Sequence, residues 1–146
     1  MCLIVDANVA VQFFCTTDPH PADLRNVVFG KGCCVVYGGH LRTEYERIEK
    51  ARRVVLALDR AGKARAIPDG PIEKRTVELK ASGVLDSDDP HIIALAEVSG
   101  SRLLYSLDAE LHRDFTNPSL ISHPRGRVYQ GGAGHRHLVK SHCKCC

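Results

Sequence analysis

The sequence has no tryptophan, one methionine, and only four phenylalanines and four tyrosines among its 146 residues. Hydrophobic residues nevertheless make up 44% of the chain, so its core must be mainly aliphatic. Charged residues make up only 25% of the chain. Together with the high apolar content, this proportion excludes a disordered polyelectrolyte. The length and apolar content are those of one globular domain and argue against two.

Long hydrophobic runs are also absent from the sequence. The longest stretch without an acidic or basic residue covers residues 7–17, which is too short to span a bilayer. The first residues carry no basic group before Asp6, so they do not have the pattern of a secretory signal. We expect a cytoplasmic protein that does not enter the membrane.

The seven cysteines are an odd number, and they include the adjacent pairs Cys33-Cys34 and Cys145-Cys146. Because a cytosol keeps most thiols reduced, we expect buried thiols and no disulfide framework. The last twelve residues hold three histidines and three cysteines. Such soft ligands can bind Zn²⁺ or Cu⁺, but their spacing is not that of a zinc finger or ribbon, and a flexible or partner-docking tail is the alternative.

Acidic residues are missing from residues 115–146, which carry five basic residues. The formal net charge of +3 therefore conceals a cationic C-terminal end. This end is suited to an anionic partner, and a solvated tail is equally compatible with the charge alone.

Short apolar runs alternate with segments of helical periodicity along the first 115 residues. These runs predict strands at residues 2–5, 33–37, 64–68 and 102–106. The periodic segments predict helices at residues 7–14, 22–29, 41–60, 71–81, 90–100 and 108–115. Strands that alternate with helices in a chain of this size indicate an α/β fold with a mostly parallel sheet covered on both faces.

The helix predicted at residues 41–60 carries three glutamates in its first half, and only Glu44 falls on its apolar stripe. Glu46 and Glu49 point away from that stripe. Because an unpaired buried carboxylate is costly, Glu44 needs a partner, which a metal ion would supply. A half-exposed edge of the stripe or an arginine partner would also account for it.

Three aspartates, Asp6, Asp89 and Asp108, fall at strand exits or at the helix starts beside them. Asp89 and Asp108 also suit helix N-caps, each worth about 1 kcal/mol. In parallel sheets the carboxyl ends of the strands form the ligand site. Clustered carboxylates repel by about 4 kcal/mol per pair at an effective dielectric of about 20, so they require cations, and all-oxygen ligation favours Mg²⁺ or Mn²⁺.

Four acidic motifs occur in a fixed order along residues 2–115: Cys-Leu-Ile-Val-Asp6-Ala-Asn8, Leu-Arg-Thr-Glu44, Asp89-Pro-His-Ile-Ile-Ala-Leu-Ala96 and Arg-Leu-Leu-Tyr-Ser106-Leu-Asp108. Each motif is short, but their order and flanking elements together resemble the acidic signature of PIN-domain ribonucleases. The resemblance implies a three-layer α/β/α sandwich with a mostly parallel central sheet. It also implies a nuclease domain at residues 1–122, followed by a basic, His/Cys-rich tail at residues 123–146.

The resemblance further implies a function and a set of site residues. Four acids would hold Mg²⁺ or Mn²⁺ for the hydrolysis of RNA phosphodiester bonds: Asp6, Glu44, Asp89 and Asp108. Asn8 and Ser106 would support the site. The compact members of the family suggest the toxin of a toxin–antitoxin pair, with a small antitoxin protein as partner, and a homodimer is compatible with this. The basic side chains that could contact RNA, or simply be solvated, are Arg42, Arg47, Arg52 and Arg53.

Several alternatives stay open on the sequence alone. A catalytically silent PIN-like module that binds RNA or protein would share the fold, and a metal-handling protein would use the terminal histidines and cysteines. Haloacid-dehalogenase-like phosphatases also begin with a strand and an aspartate, but they need a second aspartate where this chain has Asn8. Within the third motif, Asp86 and Asp88 are alternatives to Asp89, which we prefer because it fits the family spacing.

Overall fold

The computed structural model describes residues 2–30, 32–131, 135, 137 and 138. Within them the strands are β1 (Leu3–Val5), β2 (Val35–Tyr37), β3 (Ala64–Ala66), β4 (Leu103–Tyr105) and β5 (Arg127–Tyr129). The helices are α1 (Ala7–Cys15), α2 (Ala22–Phe29), α3 (Gly39–Arg47), α4 (Glu49–Arg60), α5 (Asp69–Ser82), α6 (Pro90–Ser99) and α7 (Ala109–Thr116). None of these helices is long and apolar enough to cross a membrane.

The strands form one parallel sheet in the order β3-β2-β1-β4-β5, between two layers of helices. The predicted three-layer α/β/α fold is therefore confirmed. Every residue of β1, β2 and β4 is buried, as expected for strands covered on both faces. Strands β2 and β3 lie on one side of β1, and the later strands β4 and β5 lie on the other side. The crevice at the carboxyl ends of β1 and β4 is therefore a topological switch point. Open α/β sheets bind their ligands at such points.

The helix predicted at residues 41–60 is two helices in the structure. Helix α3 ends and α4 begins at Ile48, whose φ of −105° and ψ of 88° are not helical. Neither glycine nor proline marks the break, and the apolar stripe continues across it, so the local pattern could not reveal it. The break changes the direction of the chain after Arg47, and α4 then buries Ala51, Val55 and Leu58.

Strand β5 was not predicted from the sequence. It pairs with β4, with Leu103 opposite Arg127 and Tyr105 opposite Tyr129. The sheet therefore extends into residues 123–146, which the sequence analysis placed after the nuclease domain. The terminal metal-ligand candidates His142, Cys143, Cys145 and Cys146 lie outside the described residues.

The cysteines in the described residues follow the expectation only in part. Cys2, Cys33 and Cys34 are all buried, as predicted, but Cys15 is exposed, so the expectation of buried thiols is wrong there. Cys34, however, is disulfide-bonded, which is an exception to the expectation of reduced thiols.

A glycine pair connects β2 to α3 and positions that helix. A Cβ atom on Gly38 would lie 2.6 Å from the Ile67 carbonyl oxygen, and one on Gly39, whose φ is +56°, would lie 2.8 Å from Ile72 Cγ2. The backbone N–H of Gly39 donates to Asp69 Oδ1 over 2.7 Å. Because only glycine fits this close approach, the pair anchors the start of α3, five residues before Glu44.

Candidate functional site

Asp6 lies at the carboxyl end of β1, beside the end of β4. Its backbone N–H donates to the Tyr105 carbonyl over 2.9 Å, which continues the pairing of the two strands. The side chain is almost completely buried, at 4% exposure, and Oδ2 accepts a 2.7 Å hydrogen bond from Ser106 Oγ. Asn8 reaches the Asp6 carboxylate only through its backbone N–H, over 3.5 Å, and its own side chain is exposed.

Ser106 connects Asp6 to Asp108. Its hydroxyl donates to Asp6 and accepts a 3.1 Å hydrogen bond from the Asp108 backbone N–H. The Asp108 carboxylate caps α7, since Oδ1 accepts from the backbone N–H groups of Glu110 and Leu111 over 2.8 and 3.2 Å. The predicted N-cap at Asp108 is therefore confirmed. The buried Ser106 hydroxyl also links Asp6 in the first motif to Asp108 in the last.

Glu44 projects from α3 and contacts two histidines. His91 Nε2 donates to Glu44 Oε2 over 3.2 Å, and His40 Nε2 lies 3.7 Å from Oε1. The Glu44 side chain is 28% exposed, which agrees with the alternative of a half-exposed edge of the stripe. Among the described residues its ion-pair partners are these two histidines, and Arg47 acts on it only through its charge. Burial alone would raise the pKa of Glu44, but the hydrogen bond and charge of His91, together with His40, lower it overall.

Asp89 precedes α6 but does not cap it. Its side chain accepts no hydrogen bond from α6, and its φ of −115° and ψ of 52° are not the extended values of a capping residue. Asp89 therefore occupies the predicted N-cap position, but the capping hydrogen bond predicted for its side chain is absent. Its half-buried carboxylate is left available for another role.

The four acids influence one another electrostatically. Burial raises the pKa of Asp89; His91 opposes this shift, and Asp6, Glu44 and Asp108 each add to it. Burial likewise raises the pKa of Asp6, against the hydrogen bond from Ser106, and the charge of Glu44 adds to the increase. The fold therefore brings all four predicted acids into one electrostatic cluster at the switch point of the sheet.

The chemistry of this cluster suits a hard divalent cation. Its donors are carboxylate oxygens, and in the part of the chain that the structure describes no lysine or arginine forms an ion pair with Asp6, Asp89 or Asp108. Among the same residues, no three His, Cys, Asp or Glu side chains are arranged closely enough to hold a metal ion. The donor set thus fits Mg²⁺ or Mn²⁺ by chemistry, while its side chains are not closed around an ion position.

A further buried carboxylate, Asp114 on α7, organises the loop that leads to Asp89. Its Oδ1 accepts from the Asp86 backbone N–H over 2.9 Å, and Oδ2 accepts from the backbone N–H and the hydroxyl of Ser87 over 2.8 and 2.7 Å. Asp114 was not predicted from the sequence, although it lies on the apolar face of α7, between Leu111 and Phe115. An acid at such a position was the signal that had singled out Glu44.

The two alternatives to Asp89 have other surroundings. The Asp86 carboxylate accepts a 3.1 Å hydrogen bond from Arg113 Nε, so it is paired on the outer side of α7. Asp88 is exposed. His91, which the sequence analysis also missed, carried no signal in the sequence, because its partner Glu44 is 47 positions away.

Two of the four arginines proposed for RNA contact have partners within the fold. Arg42 donates to Asp69 Oδ2 and to the Ile67 carbonyl, both over 3.2 Å, and its guanidinium lies 5.8 Å from the centre of the Tyr37 ring. Arg53 pairs with Glu49 on the exposed side of α4. Arg47 on α3 and Arg52 on α4 are both exposed.

No protein-family model matches the chain, and no curated protein matches it. The functional assignment depends on the geometry and chemistry of the site.

Proposed function

We propose that this protein is a Mg²⁺- or Mn²⁺-dependent endoribonuclease of the PIN-domain type, which hydrolyses RNA phosphodiester bonds. The observation that carries the proposal is that the charges of Asp6, Glu44 and Asp108 all act on Asp89 at the switch point of a parallel sheet. Asp6, Asp89 and Asp108 form no ion pair with a lysine or arginine among the described residues, so a divalent cation would offset their charge.

The chain's own residues divide the work of such a site. Asp6, Asp89 and Asp108 would hold the cation through carboxylate oxygens, and the Ser106 hydroxyl connects the Asp6 carboxylate to the Asp108 backbone N–H. His91 holds the Glu44 carboxylate in place from α6. The chemistry that a divalent cation would supply there is activation of the attacking water and neutralisation of charge on the leaving oxygen.

The proposal is tested with the Asp6→Asn variant. Purified protein should cleave single-stranded RNA with Mn²⁺ and not with EDTA, and Asp6→Asn should lower the rate by about 100-fold or more, because it removes a ligand charge from the cluster. Asp59→Asn, which changes an exposed acid at the end of α4, is the matched control and should cleave normally. Undiminished cleavage by a folded Asp6→Asn protein contradicts the proposed site.

The alternative is a silent PIN-like module that binds RNA or protein. It is favoured by the engagement of Glu44 with two histidines and by the open arrangement of the carboxylates. Thermal unfolding with Mn²⁺ distinguishes the nuclease from the silent module. If the protein has a metal site, a Mn²⁺ concentration of 100 times the Kd stabilises the folded state by about 2.7 kcal/mol. No stabilisation at millimolar Mn²⁺ supports the silent module.

The toxin role is a finer part of the same proposal. It requires a protein partner that suppresses the cleavage activity, and a small adjacent reading frame encoding a DNA-binding protein would support it. Co-expression of that protein should abolish RNA cleavage by the purified complex. Unchanged cleavage by a stable complex contradicts the toxin role while leaving the nuclease assignment intact.

A further inference from the structure

A basic cavity lies between α7 and β5, beside the acidic cluster. Its volume is about 370 Å³. Two arginines, three histidines and one glutamine are among the described residues that line it, and none of those residues is acidic: Arg113, Arg127, His112, His135, His137 and Gln130. A cavity of this composition attracts an anion that has several hydrogen-bond acceptors.

The cavity is connected to the acidic cluster through Ser106. His112 Nε2 donates to the Ser106 carbonyl over 2.6 Å, and Ser106 is the residue whose hydroxyl bridges Asp6 and Asp108. The side-chain amide of Gln130 lies 3.2 Å from the other ring nitrogen of His112. Gln130 directly follows β5, so this end of the cavity opens at the same edge of the sheet as the acids.

Arg127 is the cation of this cavity that is best placed to meet an anion. Arg113 already pairs with Asp86 and lies 3.9 Å from Glu110. The neighbouring Arg102 and Arg125 donate to backbone carbonyls, including those of Pro124 and Thr116. Arg127 is exposed at the start of β5, at the end of the strand away from Gln130, and its side chain lines the cavity, while its backbone N–H donates to the Arg102 carbonyl.

We propose that this cavity is a binding subsite for a phosphate group of single-stranded RNA, next to the phosphate that the acidic cluster acts on. The inference rests on the proposed ribonuclease function. An acidic cluster repels the RNA backbone, so a substrate strand needs cationic contacts outside the cluster. The cavity between α7 and β5 provides them on the β5 side of the cluster.

The test is RNA binding in EDTA, which requires no catalysis. Fluorescently labelled single-stranded RNA is titrated with wild-type protein, Arg127→Gln and Arg65→Gln over a range of salt concentrations. Arg65 is the matched control, because it is exposed on β3 at the opposite edge of the sheet. Arg127→Gln should weaken binding by about threefold or more and reduce the slope of log K against log salt by about 0.7, as expected for one lost phosphate contact.

A second measurement connects the subsite to turnover. With Mn²⁺, Arg127→Gln should raise KM for RNA and leave kcat nearly unchanged, because the contact is made before and during the reaction alike. This outcome is independent of the Asp6→Asn result: loss of the nuclease assignment leaves the binding result in EDTA interpretable, and failure of the binding result leaves the cleavage result intact.

Three results would overturn the subsite. They are unchanged RNA binding by Arg127→Gln, an equal loss by Arg65→Gln, and no RNA binding by the wild-type protein in EDTA. Binding of a polyglutamate peptide tests the alternative of a protein partner. If the peptide binds more tightly than RNA and Arg127→Gln weakens its binding, the cavity recognises an acidic protein segment and the RNA proposal is wrong.

Discussion

The buried Asp114 carboxylate offers the sharpest test of how the site is built. It is 2% exposed and accepts three hydrogen bonds from the loop before Asp89. In Asp114→Asn one carboxylate oxygen becomes an NH₂ group, which donates and cannot accept. Either the Asp86 N–H or the Ser87 N–H must then face a donor.

The expected cost follows from those contacts. Hydrogen bonds to a charged group contribute about 1.5–3 kcal/mol each, and the substitution removes the charge and at least one acceptor. We therefore expect Asp114→Asn to lower the free energy of unfolding by about 3 kcal/mol. That is a large share of the roughly 5–15 kcal/mol that stabilises a domain.

Urea denaturation measures the change, with Glu110→Gln as the matched control on the same helix. Glu110 is exposed, so its substitution should change the free energy of unfolding by no more than about 0.5 kcal/mol. At a temperature where Asp114→Asn is still folded, Mn²⁺ should also stabilise it less than wild type, because the loop no longer holds Asp89. A wild-type denaturation midpoint for Asp114→Asn would refute the assigned role.

Two further predictions concern Asp89 and Gly39. Burial and the neighbouring carboxylates raise the pKa of Asp89 above its ordinary value of 3.8, so its protonated form stabilises the metal-free protein, and this contribution is lost as the pH rises through the raised pKa. Asp89→Asn should therefore raise the melting temperature in EDTA at pH 7 and abolish stabilisation by Mn²⁺; a lower melting temperature in EDTA contradicts this. Gly39→Ala should cost about 1–3 kcal/mol in urea denaturation, because φ is +56° and its Cβ would lie 2.8 Å from Ile72 Cγ2. Gly70→Ala, where a Cβ meets nothing within 4 Å, should be nearly neutral, and equal losses at both positions would rule out this explanation.

Local sequence patterns predicted most of the fold because each pattern reflects a local requirement. Short apolar runs such as residues 2–5 predict buried strands, and helical periodicity predicts the segments between them. The same reasoning placed Asp6 and Asp108 at the carboxyl edge of the sheet, since the end of a parallel strand is visible in the sequence. The break at Ile48 and the strand β5 escaped, because neither has a local marker and both depend on packing against distant elements.

The tertiary structure alone decided which polar groups meet at the site. His91 contacts Glu44 across 47 positions, Ser106 contacts Asp6 across 100, and Asp114 holds Ser87 across 27. The sequence determines which side chains carry acids, hydroxyls and imidazoles, and roughly which element each one occupies. Their partners are chosen by the order of strands in the sheet, because that order sets which strand ends and helix starts become neighbours.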